Sequence, residues 1–379
     1  MAEPDIAIVG GGIVGCLIAR ELAARAPGAS VTVLDRDAVG AGASRRSAGL
    51  HLPRGSSDRT RRMSAYSHAY YADLKRGDPG LPIHPLGATV VTRDGDGLIG
   101  RYLPLAAPAP SFAAPSSAAP SFAAPSFDAL PLALPAGSRA WRITGGHYCD
   151  VYRLAQALAA RLRPRVAFCE GVAVTGLVPG GDRVTVQCGT GARMAAGAVI
   201  LAPGPWVAAP AWRDLLAPLG LRVKRVAALH IARKPGPADE AIMFDSDDAF
   251  LLPLAHRGHW LFSYCCREWD VDPDGPAAGL TAADVREARD TLRRYSPALA
   301  DACRGGQVFC DAYGPDGEPV VRPLDPSGRI VFAGASGGSG YRLGPAIAAE
   351  AADLASRDLA GRDLPAHRTQ GATGDHQYV

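Results

Sequence analysis

Lysine is scarce in this chain of 379 residues: Lys75, Lys224 and Lys234 stand among 40 basic residues, which are nearly balanced by 37 acidic ones. A dedicated nucleic-acid binder would carry a basic stripe. The longest basic cluster, Arg59, Arg61 and Arg62, is short and flanked by Asp58 and Met63, so it reads as a solvated face and no nucleic-acid partner is expected. No apolar run reaches the ~18 residues of a spanning helix without a polar, Gly or Pro interruption, so no membrane partner is expected either. The cysteines (Cys16, Cys149, Cys169, Cys188, Cys265, Cys266, Cys303 and Cys310) form no CxxC pair of zinc spacing and no disulfide framework, and reduced thiols are expected. His256 and His259 flank a turn at Arg257-Gly258 without a third ligand, so no metal is expected. GxSxG and HExxH are missing, which leaves hydrolase readings without a foothold. No basic and apolar leader precedes the first strand, so the expected location is the cytoplasm. With 47% hydrophobic and 20% charged residues, the chain is neither disordered, collagenous nor a coiled coil. Its length suits two intimately joined domains.

What is present is concentrated at the start. Asp5-Ile6-Ala7-Ile8-Val9 is a β-branched run, Gly10-Gly11-Gly12-Ile13-Val14-Gly15 follows at once, and Cys16 to Ala23 has helical apolar spacing. Val31-Thr32-Val33-Leu34 reads as a second strand ending in Asp35, twenty residues past Gly15. This is the order that binds a dinucleotide: glycines admit the pyrophosphate to the main chain, the helix N-terminus supplies amides and dipole, and the carboxylate accepts a ribose hydroxyl. A plain nicotinamide domain would continue with alternating strands and helices, whereas this chain enters the small-residue loop Gly40 to Gly49. Ala198 to Trp206 and Arg329 to Gly334 later supply two short buried strands ending in small residues, so the dinucleotide domain is assembled from distant pieces.

Between the pieces, Tyr152 to Leu162 reads as an amphipathic helix, and Arg165 to Phe168, Val172 to Val174 and Val184 to Val186 as strands. Val223 to Ile231, Phe250 to Leu252 and Trp260 to Ser263 suggest a separate antiparallel sheet. Thr281 caps a helix to about Tyr295 that Ser296-Pro297 ends, and a final helix runs from Pro345 to about Leu359. Residues 109–118 and 119–128 are an internal Ala/Pro/Ser repeat with single Phe residues, expected to be an extended surface insertion rather than a helix.

Six motifs in order carry a resemblance: the Gly10 to Gly15 fingerprint with Asp35, the Ser44 to Gly49 loop, Gly171-Val172, Leu201 to Trp206, Pro315 to Val320, and Gly334 to Pro345. In these the chain resembles the D-amino acid oxidase, glycine oxidase and sarcosine oxidase family of FAD enzymes over nearly its whole length except the repeat. The resemblance implies an α/β fold: a Rossmann-like FAD-binding domain (1–80, 150–220 and 311–365) interleaved with an α+β substrate domain (81–149 and 221–310) built on a mixed, largely antiparallel sheet. An insertion at about 104–136 and a tail at 366–379 complete the division.

Position by position, the resemblance implies that Gly10, Gly12, Ile13, Val14 and Gly15 hold the pyrophosphate, Asp35 and Arg36 the adenosine ribose, and Ala43 and Ser44 the diphosphate side. Ala48, Gly49 and Leu50 would lie along the flavin ring, Val172 would meet the adenine, and Ala202, Gly204 and Trp206 belong to the same cofactor set. Gly338, Gly340, Tyr341, Arg342 and Leu343 would approach the flavin pyrimidine edge. Arg342 is the expected carboxylate clamp, with Tyr341 and His51 as further catalytic candidates. Three departures stand out. Asp311 occupies the position where glycine oxidases carry a carboxylate-binding Arg; it could pair with Arg342, accept a substrate amine, or be solvated. Cys310 is one residue out of register with the cysteine that binds flavin covalently in sarcosine oxidases, and Leu261 stands where those enzymes have an oxygen-activating Lys, so noncovalent FAD is expected and the acceptor is oxygen or another oxidant. The implied reaction is oxidation of the C–N bond of an amino acid or N-substituted glycine; a 2-hydroxy acid dehydrogenase, a silent flavin-binding protein and a nicotinamide dehydrogenase are the alternatives. The purified protein should be yellow, with flavin absorbance in the visible; a colourless protein that binds NAD would overturn the cofactor expectation.

Overall fold

The computed structural model describes residues 3–93, 101–102, 130–275 and 279–357. The repeat at 109–128 and the tail at 366–379 lie outside these residues. Ile6–Val9, Val31–Leu34, Val166–Cys169 and Ala198–Leu201 are short apolar strands, and such continuous runs suit a sheet covered on both faces. They join Ile330–Gly334 and the edge strand Val320–Pro323 in one six-stranded sheet, with Ile6–Val9 between Ala198–Leu201 and Val31–Leu34. The pairs are parallel except at Val320–Pro323, which runs antiparallel to its neighbour. Helices Ile13–Arg25, Val151–Leu162 and Gly344–Ser356 bury their apolar faces in one core with this sheet. The other face is covered by a three-stranded antiparallel layer, Val174–Pro179, Val184–Cys188 and Arg193–Ala196.

A second sheet has eight strands, running in spatial order Cys303–Tyr313, Arg222–Ile231, His259–Trp269, Ala249–Leu254, Ala241–Phe244, Ile83–Thr92, Arg139–Cys149 and Leu50–His51. Its pairs are antiparallel except for Ala241–Phe244 beside Ile83–Thr92. The expected combination of a doubly covered parallel sheet with a mixed, largely antiparallel one is therefore what forms. Among the described residues no helix is long and apolar enough to cross a membrane.

Two local readings change. Val172 and Ala173 precede the strand, which begins at Val174, because Gly171 (φ 72°) turns the chain and the Val172 N–H goes to the Asp35 carbonyl at 2.8 Å. Ser296-Pro297 does more than end a helix: the Ser296 hydroxyl accepts the Leu299 N–H at 3.2 Å and caps a new helix, Pro297–Asp301, with proline in the first turn where no amide partner is lost.

The helix Ala282–Arg293 is tied to the large sheet by a buried ion pair. Asp284, fixed by the N–H and hydroxyl of Thr281 (both 2.8 Å), receives the Arg225 guanidinium at 2.6 Å, and both side chains are almost fully buried. Arg225→Ala should cost about 3–5 kcal/mol in denaturant unfolding, because it strands the Asp284 charge, whereas replacing both residues with apolar ones of similar volume should cost far less.

Candidate functional site

A cavity of about 470 Å³ opens at the carboxyl ends of the parallel strands, where Val9, Leu34, Ala202 and Gly334 line it, and extends under the large sheet to Val226, Phe309 and Asp311. Its size is in the range of small-molecule sites, and its position is where open α/β sheets bind ligands.

One end is built for an extended anionic ligand. Helix Ile13–Arg25 begins at the cavity with Gly12 as its N-cap, a residue that brings no capping side chain of its own, so its dipole faces the opening. A Cβ on Gly12 would meet only the Ser44 hydroxyl, at 3.3 Å, and one on Gly204 (φ 60°) would meet nothing nearer than the Trp206 ring at 3.8 Å. At both points the cavity therefore runs up to the main chain. Ser44 accepts the Ile13 N–H at 2.9 Å and pins the small-residue loop to the helix start. The Asp35 carboxylate accepts the N–H groups of Gly11 (2.7 Å) and Asp37 (2.8 Å), which fixes it at the end of its strand, and burial raises its pKa. Arg36 is held by Asp274 (2.6 and 2.8 Å) and lies over the Trp206 ring, 4.3 Å from its centre. These donors, this cradle and this carboxylate fit a dinucleotide.

Of the expected cofactor residues, Gly10, Gly12, Ile13, Val14, Asp35, Arg36, Ala43, Ser44, Ala48, Gly49, Leu50, Val172, Ala202, Gly204, Trp206, Gly338, Gly340, Tyr341 and Arg342 line the cavity. Gly15 and Leu343 do not. A Cβ on Gly15 would collide with the Gly10 carbonyl, so this glycine serves helix-to-strand packing, and Leu343 is the buried N-cap of helix Gly344–Ser356.

At the other end, Arg342 donates to the Arg54 carbonyl and to the Ser339 hydroxyl (2.7 Å), and among the described residues no carboxylate pairs with it. Burial and the neighbouring Arg54 charge lower its pKa to about 9, which leaves it a cation at neutral pH. Asp311 also faces the cavity. It does not pair with Arg342, and burial pushes its carboxyl up to about 7, so neither the expected pairing nor full solvation describes it. Cys310, the preceding residue on the strand, does not line the cavity; it is buried in the core shared with the six-stranded sheet and borders a small separate pocket with Ala43, Arg46 and Trp206, and burial raises its thiol to about 11. Leu261 is buried in the core.

His51 is not at the cavity wall. It is fully buried behind it, stacked on His147 with ring centres 4.5 Å apart and beside His68 at 5.5 Å, and burial holds both His51 and His147 well below the usual imidazole range. Ring nitrogens of His51, His68 and His147 come within 4.8 Å of one another, but near-parallel rings aim their lone pairs along parallel lines rather than at one point. The hydroxyl of Tyr341 is engaged by His147 at 2.9 Å, and its carbonyl accepts the Tyr71 hydroxyl at 2.7 Å. Tyr341 and the histidines therefore support the loop that carries Arg342.

Sequence reasoning missed Arg54, Asp245, Asp248 and Cys265, all of which line the cavity; Arg54 is paired to Asp245 at 3.7 Å. A signal for Arg54 existed: in an extended chain Leu50, Leu52 and Arg54 share one face, and His51 takes the other. Two other arginines are engaged away from the cavity, Arg59 by Glu318 and Glu350 and Arg225 by Asp284.

The sequence model of the family described as FAD dependent oxidoreductase matches residues 5–354. L-Proline dehydrogenase from P. horikoshii superposes with a TM-score of 0.73 at 19% identity, over 96% of this chain and 95% of that one. NikD, described as an unusual amino acid oxidase essential for nikkomycin biosynthesis, gives 0.68 at 20% identity over 96% of each chain. Glycine oxidase from Bacillus cereus ATCC 14579 gives 0.69 at 15% identity, over 93% and 95%. At these identities the likeness is one of fold. No curated protein matches the chain.

Two glycine variants separate cradle from scaffold. Gly12→Val should fold with nearly unchanged thermal stability but lose bound flavin, read as visible absorbance per mole of protein. Gly15→Ala, which forces a Cβ onto the Gly10 carbonyl, should instead lower the melting temperature of the protein itself.

Proposed function

This chain belongs to the FAD-dependent oxidoreductase family, and from that premise we propose that it oxidises the C–N bond of an amino acid or N-substituted glycine, using noncovalent FAD with oxygen or another acceptor downstream. The observation that carries this reading is Arg342, a cation that faces the cavity and, among the described residues, has no carboxylate partner. An unpaired, desolvated guanidinium is costly, and a planar carboxylate is the ligand whose geometry it matches in two parallel hydrogen bonds.

The roles of the chain's own residues follow. Gly12, Gly204 and the first turn of helix Ile13–Arg25 would receive the dinucleotide phosphates, Asp35 the adenosine ribose, and Ala48, Gly49 and Leu50 would hold the ring. When bound, FAD supplies the two-electron acceptor that converts the C–N bond to an imine, which water hydrolyses, with hydrogen peroxide formed where oxygen is the acceptor. Arg342 orients the substrate through its carboxylate, and such a reaction depends on orientation more than on a strong acid or base. Apolar Leu52, Met243 and Phe250 wall the cavity and limit water around the ion pair. Cys310, outside the cavity and with a raised thiol pKa, supports noncovalent attachment.

Arg342→Ala should lower kcat/KM for carboxylate substrates roughly 30- to 1000-fold, about 2–4 kcal/mol, while flavin absorbance per protein stays unchanged. Arg342→Lys should recover part of the loss. Near-normal turnover by Arg342→Ala across a panel of N-alkyl glycines and D-amino acids would remove the clamp from the reading.

A further inference from the structure

Asp311 is the feature of the cavity that the carboxylate clamp leaves unused. It lies on strand Cys303–Tyr313, whose neighbour Phe309 also faces the cavity, while Cys310 between them faces the core. A Cβ on Gly338 (φ 62°) would meet the Asp311 carboxylate at 3.4 Å and no other atom within contact, so the carboxylate borders the same loop, Ser336 to Arg342, that presents the guanidinium. Carboxylate and guanidinium thus face one cavity without joining each other.

Resting on the amine-oxidation reading above, we propose that Asp311 receives the substrate's amino group: its carboxylate holds the ammonium of an amino acid or N-substituted glycine whose carboxylate is on Arg342. It then takes one ammonium proton. One N–H bond breaks, an O–H bond forms on Asp311, and the electron pair stays on nitrogen as the lone pair that an oxidisable neutral amine requires. No further reactant enters this step.

The surroundings favour it. The charged and titratable groups around Asp311 are Lys224, its register partner on the adjacent strand, and Cys265, Tyr313 and Asp248 on the sheet side, with Arg54 and Arg342 among the other residues that line the same cavity. Lys224 sits over the Trp269 ring, 5.0 Å from its centre, Cys265 and Tyr313 contact each other at 3.8 Å, and Arg54 is held by Asp245. Among the described residues none of them hydrogen-bonds Asp311. Burial alone raises its carboxyl to about 7, so in the empty site it exchanges its proton near neutrality. A cationic amine restores the missing partner. The hydroxyl of a 2-hydroxy acid does not, so Asp311 sets the preference for amines over alcohols.

The test uses the FAD-loaded protein, anaerobically, with pairs of ligands alike except at one atom: each amino acid of a panel against its 2-hydroxy analogue, and sarcosine against methoxyacetate, scored by perturbation or bleaching of flavin absorbance. Wild type should bind the best amine at least tenfold more tightly than its oxygen analogue. Asp311→Asn should abolish or reverse that preference, because it weakens the amine and relieves repulsion of the second carboxylate. For reducible amines at subsaturating concentration, the second-order rate constant of bleaching by wild type should rise with pH as the unliganded Asp311 carboxyl, raised to about 7 by burial, loses its proton. In Asp311→Asn the limb near 7 should be replaced by one at the free pKa of the substrate amine, with Asp311→Glu retaining a shifted limb. Equal binding of amine and oxygen analogues by wild type, binding of neither, or an unchanged preference and pH profile in Asp311→Asn overturns the proposal. Loss of the preference in Asp311→Asn without bleaching of wild type by any amine keeps the amine subsite and removes the oxidation reading instead.

Discussion

The close approach of three stretches of main chain at Gly10 is the constraint on which the rest of the structure depends. Gly10 has φ 108°, and a Cβ there would collide with the Ala202 carbonyl; five residues later a Cβ on Gly15 would collide with Gly10 itself. Strand Ile6–Val9, helix Ile13–Arg25 and the turn after Ala198–Leu201 can therefore meet only if both residues lack side chains. Once they meet, the helix start, the strand ends and the loop from Gly40 to Gly49 converge on one edge, and the cavity is what lies between them.

Electrostatics divides the molecule into paired and unpaired charge. Away from the cavity the buried charges have partners: Arg225 has Asp284, and Glu21, at a helix surface, has Arg25. Inside it, Arg54 is satisfied by Asp245, while Arg342 and Asp311 have no countercharge among the described residues. Leaving a desolvated guanidinium and a desolvated carboxylate unpaired in one cavity works against stability, and such perturbed groups cluster where a ligand completes them. Asp311 has a folded-state pKa above its unfolded one, so its contribution to stability is full at acid pH and is lost as pH rises through about 7.

Behind the cavity, neutral groups hold the charged ones in place. Tyr71, Tyr341 and His147 form a buried chain of hydrogen bonds, and His51 stacks on His147. Because burial lowers the pKa of both histidines, they add no positive charge beside Arg342. The chain fixes the Tyr341 backbone and, through it, the neighbouring arginine.

The nucleotide half of this protein was legible in its sequence because its determinants are local. A strand, a glycine turn, a helix and an acidic residue at a fixed distance are properties of thirty consecutive residues, and Gly10, Gly12 and Asp35 line the cavity where that pattern puts them. The substrate half was legible only in part. Arg342 stood out through its glycine-rich loop, but Arg54, Asp245 and Asp248 come from separate elements of an eight-stranded sheet, and no spacing along the chain brings them together. His51 was a candidate because it follows the flavin-facing loop, which leaves open which way its side chain turns, and Asp311 could be given three fates because whether a carboxylate is paired, solvated or left to meet a substrate amine depends on what packs around it. By itself the sequence determined the backbone conformations that glycine alone permits and the helix start that a phosphate needs; the tertiary structure decided which side chains face the cavity and which charges remain without partners, since burial and pairing are properties of neighbours that are distant along the chain.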